Sequence, residues 1–245
     1  MPTQETLQFD SDGFRLTGTL HLPDTPLPRV VIGCHGLLAD RQSPKQIALG
    51  QALNEIGIAY LRFDHRGCGD SQGQLHAATL LSTRCRDLYH AMRRMQSQTH
   101  IGPLLGFFGS SFGGTVAMAT AAEHPVQTII SYAAPLYSRS IHNRVLQDIR
   151  AHQTLQAPED TELFFDIQQQ VQDLDNILIL HGEMDEIVPV SHAHRIHQLS
   201  KEPKKLILFP KGDHRMSDSA HQSQFIQICK DWYDACGAAG TEGNS

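Results

Sequence analysis

The chain has 245 residues and a mass of 27.2 kDa, a length at which one α/β domain buries a large core. Its residues are 40% hydrophobic and 19% charged, as in ordinary globular proteins, and its apolar runs are too short to span a bilayer. A net charge of -6 with dispersed Lys and Arg leaves no basic face for nucleic acid and no polybasic cluster for anionic lipid.

The start, Met1-Pro2-Thr3-Gln4-Glu5-Thr6, lacks a basic region followed by an apolar one. No secretion signal is therefore expected, and the expected location is cytoplasmic. Cys34, Cys68, Cys85, Cys229 and Cys236 are odd in number and without Cys-x-x-Cys spacing, which argues against a disulfide framework or a zinc knuckle. Buried or idle thiols are expected instead. Histidine is abundant at fifteen, so position must choose among the histidines.

Leu7 to Phe9 and Phe14 to Leu22 alternate apolar and polar around Asp10-Ser11-Asp12-Gly13, the pattern of a β-hairpin. A proline-punctuated linker, 23–28, leads to Val30-Val31-Ile32-Gly33-Cys34, a continuous apolar run of the kind buried on both faces of a sheet. It ends at His35-Gly36-Leu37-Leu38. From Ser43, a candidate N-cap beside Pro44, the positions Ile47, Leu49, Leu53 and Ile56 approximate a helix stopped by Gly57. Ile58 to Phe63 reads as a fourth strand, followed by the turn-rich loop 64–73. Residues 79–95 then read as a helix with Leu80, Leu81, Leu88, Met92 and Met95 inward.

Leu104 to Phe108, a glycine-bracketed serine and an alanine-rich segment follow, a strand, tight turn and helix. Thr128 to Ala133 gives a sixth strand. Residues 135–175 break the alternation with two helical stripes: Ile141, Val145, Leu146 and Ile149, then Leu163, Ile167, Val171 and Leu174. They form either two helices packed on the sheet or a short cap. Asn176 to Leu180 resumes as a strand, a helix begins near Ser191, Lys205 to Phe209 is the last strand, and a helix runs from about Asp218 to Cys236. Regular strand–helix alternation implies parallel crossovers with helices on both faces. The expectation is a single α/β domain over 1–236, with an eight-stranded, mostly parallel sheet, an antiparallel N-terminal hairpin, a small cap insertion at about 135–175 and a flexible tail over 237–245.

Gly109-Ser110-Ser111-Phe112-Gly113 fits the G-x-S-x-G pattern on Ser111 and not on Ser110, whose neighbours two away are Phe108 and Phe112. In that pattern the serine sits in a strained turn that lifts its hydroxyl above the sheet edge, and glycines remove the collisions side chains would cause. In an open parallel sheet the loops at the carboxyl ends of strands share one crevice. Ser111, Asp185, His214 and His35-Gly36-Leu37 all follow strands. A serine hydroxyl needs a base, and the base a fixed tautomer; His214 is assigned as base and Asp185 as its orienting carboxylate. The backbone N–H groups of Leu37 and Phe112 are candidates to hold an oxyanion.

Each assignment has rivals. Glu183, Glu186 and Asp175 compete with Asp185, and His181, His221 and His65 with His214. His35 and His181 are expected to bond nearby backbone, and His65 either lines the crevice or faces solvent. Arg66 and Asp70 either brace their loop or touch substrate. His192, His194 and His197 read as a solvated helical face rather than a metal site.

On His35-Gly36-Leu37, Asp64-His65-Arg66-Gly67-Cys68-Gly69-Asp70-Ser71, the Ser111 motif, His181-Gly182-Glu183-Met184-Asp185-Glu186-Ile187-Val188-Pro189 and Gly212-Asp213-His214, the chain resembles the α/β-hydrolase superfamily, in its serine-aminopeptidase-like and cinnamoyl-esterase-like branch. The resemblance covers nearly all of 5–235. It implies Ser111 as nucleophile, Asp185 as acid, His214 as base and the amides of Leu37 and Phe112 as oxyanion site, with no cofactor and no metal. Serine at the elbow departs from epoxide hydrolases, haloalkane dehalogenases and dienelactone hydrolases, and the span before the acid-bearing strand is shorter than the cap common among the esterases.

The expected activity is that of a carboxylesterase on a small or medium acyl ester, through an acyl-enzyme. Alternatives are a peptidase or amidase, a thioesterase or acyltransferase with the same triad, and a noncatalytic binding protein. The acyl and alcohol groups and the oligomeric state are not legible in the sequence.

Overall fold

The computed structural model describes residues 3–74, 80–139, 141 and 164–239. Strands β1 (Thr3–Ser11) and β2 (Phe14–Leu22) pair antiparallel across Asp12 and Gly13, whose φ angles are 51° and 84°. Two successive left-handed residues make the tight turn whose twist matches that of the strands it joins.

Strands β3 (Val30–Cys34), β4 (Ala59–Phe63), β5 (Leu104–Ser110), β6 (Thr128–Tyr132), β7 (Ile177–Gly182) and β8 (Lys204–Phe209) complete an eight-stranded sheet in the order β1-β2-β4-β3-β5-β6-β7-β8. β2 joins β4 antiparallel, and from β4 to β8 each neighbouring pair is parallel. The chain runs outward from β3 to β4 and then returns to β5 on the other side of β3. The order reverses there, which opens a crevice beyond the carboxyl ends of β3 and β5.

Helices α1 (Pro44–Glu55), α2 (Leu81–Gln96), α3 (Phe112–Glu123), α4 (Gln168–Val171), α5 (Ser191–Leu199) and α6 (Ser219–Ala239) pack on the two faces. Strand side chains alternate between two apolar layers. Ile177 and Ile179 of β7 join the layer containing Leu88, Met92 and Val116, whereas Leu178 and Leu180 join the layer containing Leu49, Leu53 and Phe225. Burial on both faces explains why these strands read as unbroken apolar runs.

Several expectations are adjusted. Ser43 occupies the N-cap of α1 but makes no side-chain capping hydrogen bond, while Gly57 has a φ of 77° just past the helix end, the left-handed stop that glycine allows. Leu80 lies before α2 and is exposed, not inward. Of the residues in the two helical stripes, Val145, Leu146, Ile149 and Leu163 lie outside the described residues. Ile141, Ile167, Val171 and Leu174 are buried, and Tyr137 and Asp166 form an antiparallel bridge. In the expected tail, 237–239 continue α6 and 240–245 lie outside the described residues.

The loop after β4 is braced by buried charge rather than by apolar contacts. Asp64 accepts from the backbone N–H of Arg41 at 2.6 Å and of Asp70 at 3.0 Å, and the Arg41 guanidinium pairs with both aspartates. Arg66 donates to Asp87 from its backbone N–H at 2.9 Å and from Nε at 2.8 Å, and Ser11 Oγ donates to the same carboxylate at 2.8 Å. His65 is fully buried with Nδ1 3.5 Å from Asp87, so it neither lines the crevice nor faces solvent. Burial pushes its pKa to about 4, leaving it neutral at pH 7. Burial alone would raise the pKa of Asp87, but the His65 ring edge and Arg66 hold it down at about 2.

A carboxylate held below its unfolded value of about 3.9 stabilises the fold above that value, and the contribution is lost as pH falls toward 2. Asp87→Asn is therefore expected to cost about 3 kcal/mol at neutral pH by leaving Arg66 short of its partner. Urea unfolding of both proteins at neutral pH and near pH 2.5 checks this: the gap between them should narrow in acid, and a gap independent of pH contradicts it.

Candidate active site

The turn between β5 and α3 holds Ser111 at φ 54° and ψ -127°, a left-handed conformation costly for a residue with a Cβ. Surrounding bonds impose it: the Ser111 N–H donates to Tyr132 O at 2.7 Å, and the Gly114 N–H donates to Ser111 O at 2.8 Å. A Cβ on Gly109 would collide with the carbonyl oxygen of Gly113. A Cβ on Gly113 would collide with the carbonyl oxygens of Cys34 and His35. The two glycines of the motif thus let the elbow settle against the end of β3, and Gly36 comes so close that a Cβ on it would lie 3.5 Å from Ser111 Cβ.

Asp185 follows β7 and His214 follows β8, so parallel pairing of these strands carries both loops to the same edge. The Asp185 side chain is fully buried. Its Oδ1 accepts from the backbone N–H of Ile187 at 2.9 Å and of Val188 at 2.7 Å. Oδ2 lies 2.8 Å from His214 Nδ1 and 3.3 Å from His181 Nε2. Burial works to raise the carboxyl pKa, but the hydrogen bonds from His181, His214 and Val188 prevail and hold it far below the usual range.

An ionised carboxylate only accepts, so the proton between these groups belongs to His214 Nδ1. Nε2 of the neutral ring is then a bare acceptor, and it lies 3.1 Å from Ser111 Oγ, which donates to it. The same reasoning sets His181: its Nε2 carries the proton, which is shared between Val188 O at 2.9 Å and Asp185 Oδ2 at 3.3 Å.

Among the rival carboxylates, Glu183 and Asp175 are exposed, and Glu186 accepts from the backbone N–H of His214 at 3.1 Å instead of touching its ring. His221 packs its ring against Phe209. His35 Nδ1 donates to Gly36 O at 2.8 Å, which leaves Nε2 to accept from the His65 N–H at 3.2 Å. His192 corrects the reading of a solvated histidine face: it is buried, and Nδ1 accepts from the Leu136 N–H at 2.9 Å. His194 is exposed. Among the described residues no group of three or more His, Cys, Asp or Glu is placed to hold a metal ion, and no helix is long and apolar enough to cross a membrane.

A cavity of about 1100 Å³ opens over Ser111 and His214. Leu37, Leu38, Ala48, Ile187 and Phe225 supply apolar wall. Arg66 and Asp70, taken up by the loop after β4, are not part of its lining. Two residues here escaped the sequence reading. Lys45 lines the cavity with Nζ 3.7 Å above the Tyr132 ring, and burial lowers its pKa to about 7 despite the pull of Asp185 and Asp213. A cation in the first turn of a helix opposes the helix dipole, and that was the available signal. Arg84 is fully buried behind the loop after β3. It falls on the Leu81, Leu88, Met95 stripe of α2, where a guanidinium is out of place unless it has buried acceptors.

Residues 25–158 match the family described as serine aminopeptidase, S33, a span that begins before β3 and contains Ser111. Over 220 residues the chain is 26% identical to the Escherichia coli protein YfhR, covering 86% of this chain and 73% of that one. It is 25% identical over 228 residues to the mouse mitochondrial palmitoyl-protein thioesterase ABHD10, covering 83% and 75%. Among solved structures, Est1E from Butyrivibrio proteoclasticus with bound ferulic acid superposes with a TM-score of 0.76 at 21% identity, over 95% of this chain and 99% of that one. At that identity the likeness is one of fold. With more than half of its length inside the family match, the chain belongs to the serine aminopeptidase, S33, family of α/β-hydrolases.

Proposed function

We propose that this α/β-hydrolase is a serine carboxylesterase acting on small or medium acyl esters through an acyl-enzyme. One observation carries the reading: two hydrogen bonds in series, from His214 to buried Asp185 and from Ser111 to His214, end on a hydroxyl that lines a cavity walled by both apolar and polar side chains.

In the proposed reaction Ser111 Oγ attacks the ester carbonyl carbon while its proton passes to His214 Nε2. The imidazolium is stabilised by the carboxylate of Asp185. The carbonyl oxygen, now an anion, sits between the N–H groups of Leu37 and Phe112, neither of which donates to another protein group among the described residues. Phe112 opens α3, so the positive end of that helix faces the same charge. Collapse breaks the bond to the alcohol oxygen, which leaves with the proton from His214. Water then attacks the acyl-serine with His214 again as base, releasing the acid and restoring Ser111.

The family description and the name of one relative point to substrates with other leaving groups. The family description concerns an aminopeptidase, and ABHD10 is a palmitoyl-protein thioesterase. All of these reactions pass through one tetrahedral anion, so the leaving group separates them. Activities on esters, thioesters and arylamides of matched acyl chain are expected to rank the ester first; a higher kcat/KM on either of the others reassigns the substrate class while keeping the mechanism.

Ser111→Ala is expected to lower kcat on p-nitrophenyl butyrate by about 10³-fold or more with the Tm little changed, and to abolish labelling by a fluorophosphonate probe. Undiminished turnover in that variant ends the assignment. In Asp185→Asn the amide no longer fixes the Nδ1–H tautomer, and kcat is expected to fall by about 10³- to 10⁴-fold. Steady-state kinetics on the folded variant check this, and a loss below about 10-fold removes Asp185 from the relay.

A further inference from the structure

Arg84 lies on α2 with no exposed surface, and its guanidinium reaches the loop after β3 from beneath. Nη1 donates to His35 O at 3.0 Å and to Gly36 O at 3.2 Å, and Nη2 donates to Leu37 O at 2.9 Å. Three consecutive carbonyls thus converge on one planar cation. The same guanidinium carbon lies 5.2 Å from the centre of the Phe112 ring, within cation–π range. Arg84 therefore touches both segments whose amides face the proposed oxyanion.

The peptide unit explains why the Gly36 contact matters. The amide of Leu37 belongs to the same planar group as the Gly36 carbonyl, and in a trans peptide the two point in opposite directions. Drawing the carbonyl down onto Arg84 turns the Leu37 N–H away from the protein interior. That carbonyl also accepts from His35 Nδ1 at 2.8 Å and from the Ala39 N–H at 3.3 Å. Donors gathered on the oxygen end of an amide polarise it, and a charged donor does so most, which strengthens the N–H at the other end as a hydrogen-bond donor. Burying an arginine is costly, so a position that spends it on loop carbonyls beside Ser111 calls for a reason beyond packing.

We propose that Arg84 is a positioning residue for the oxyanion site: through the Gly36–Leu37 peptide it orients and polarises the Leu37 amide, and through the Phe112 ring it braces the residue that carries the second amide. This rests on the serine-hydrolase reading above. Arg84 touches no substrate; its effect is felt only when the carbonyl oxygen becomes an anion.

The test compares wild type with Arg84→Met and Arg84→Lys. Measured for each are kcat and KM on p-nitrophenyl butyrate, the Ki of a trifluoromethyl ketone of matched chain length, and the Tm, with kinetics run well below each Tm. A trifluoromethyl ketone forms a hemiketal anion on the serine and so reports the oxyanion site directly. In Arg84→Met kcat should fall by about 10- to 100-fold with KM within about threefold, and Ki should rise by the same factor as kcat/KM falls. Arg84→Lys keeps the charge but cannot span three carbonyls, and it should lie between the two. Should the methionine variant fail to fold, the lysine variant carries the test. Folded variants with kcat/KM and Ki within about twofold of wild type overturn the proposal, as does a loss confined to KM. A wild type that hydrolyses no ester and takes up no fluorophosphonate sinks the proposed function and this inference with it. An active wild type beside unimpaired variants sinks this inference alone.

Discussion

A carboxylate with no exposed surface must be ionised by its partners or not at all, and the arrangement around Asp185 ionises it. Two backbone amides and two histidine nitrogens surround its oxygens, more donors than burial alone can overcome. Each later step depends on that charge. Because the carboxylate can only accept, His214 must hold its proton on Nδ1; because Nδ1 is protonated, Nε2 is free; because Nε2 is free, Ser111 points its proton toward the ring. The direction of the whole relay is set by electrostatics at its buried end.

The other end is set by sterics. Ser111 occupies a backbone conformation that a side chain resists, and it is kept there by bonds to β6 and to the first turn of α3, with Gly109 and Gly113 allowing three backbones to meet where any Cβ would intrude. Strain at the elbow is offset by the apolar layers on either side of the sheet, where β3, β5, β6 and β7 are buried on both faces. The sheet therefore holds in place a turn that a short peptide would abandon. The reversal of strand order between β3 and β5 puts the Gly36–Leu37 loop beside that turn, so the hydroxyl and the proposed oxyanion amides are brought near one another by topology rather than by proximity in sequence.

What could be read before any coordinates is what local chemistry dictates. Asp12 and Gly13 mark a tight hairpin, Gly57 a helix stop, and the glycines flanking Ser111 an elbow, because each depends on the backbone freedom of a few neighbouring residues. Asp185 and His214 became candidates on another ground: both fall just after strands, at the edge where an open parallel sheet gathers its loops. Buried polar groups were harder. His65 and His192 carry no local sign of their burial, and Arg84 shows only its place on an apolar stripe, because the partners lie far along the chain: Arg84 bonds to a carbonyl 49 residues away and His192 to an amide 56 residues away. Leu80 failed differently, since an apolar residue one position before a helix start follows the helical period without sharing the helix's buried face.

The most direct measurement on the central claim is nitrogen-15 NMR of His214 in its neutral form, with the signals identified by their loss in His214→Gln. The relay described here requires the Nδ1–H tautomer with an unprotonated Nε2, and Asp185→Asn should redistribute it. A neutral ring carrying its proton on Nε2, unaltered by that substitution, would contradict the account.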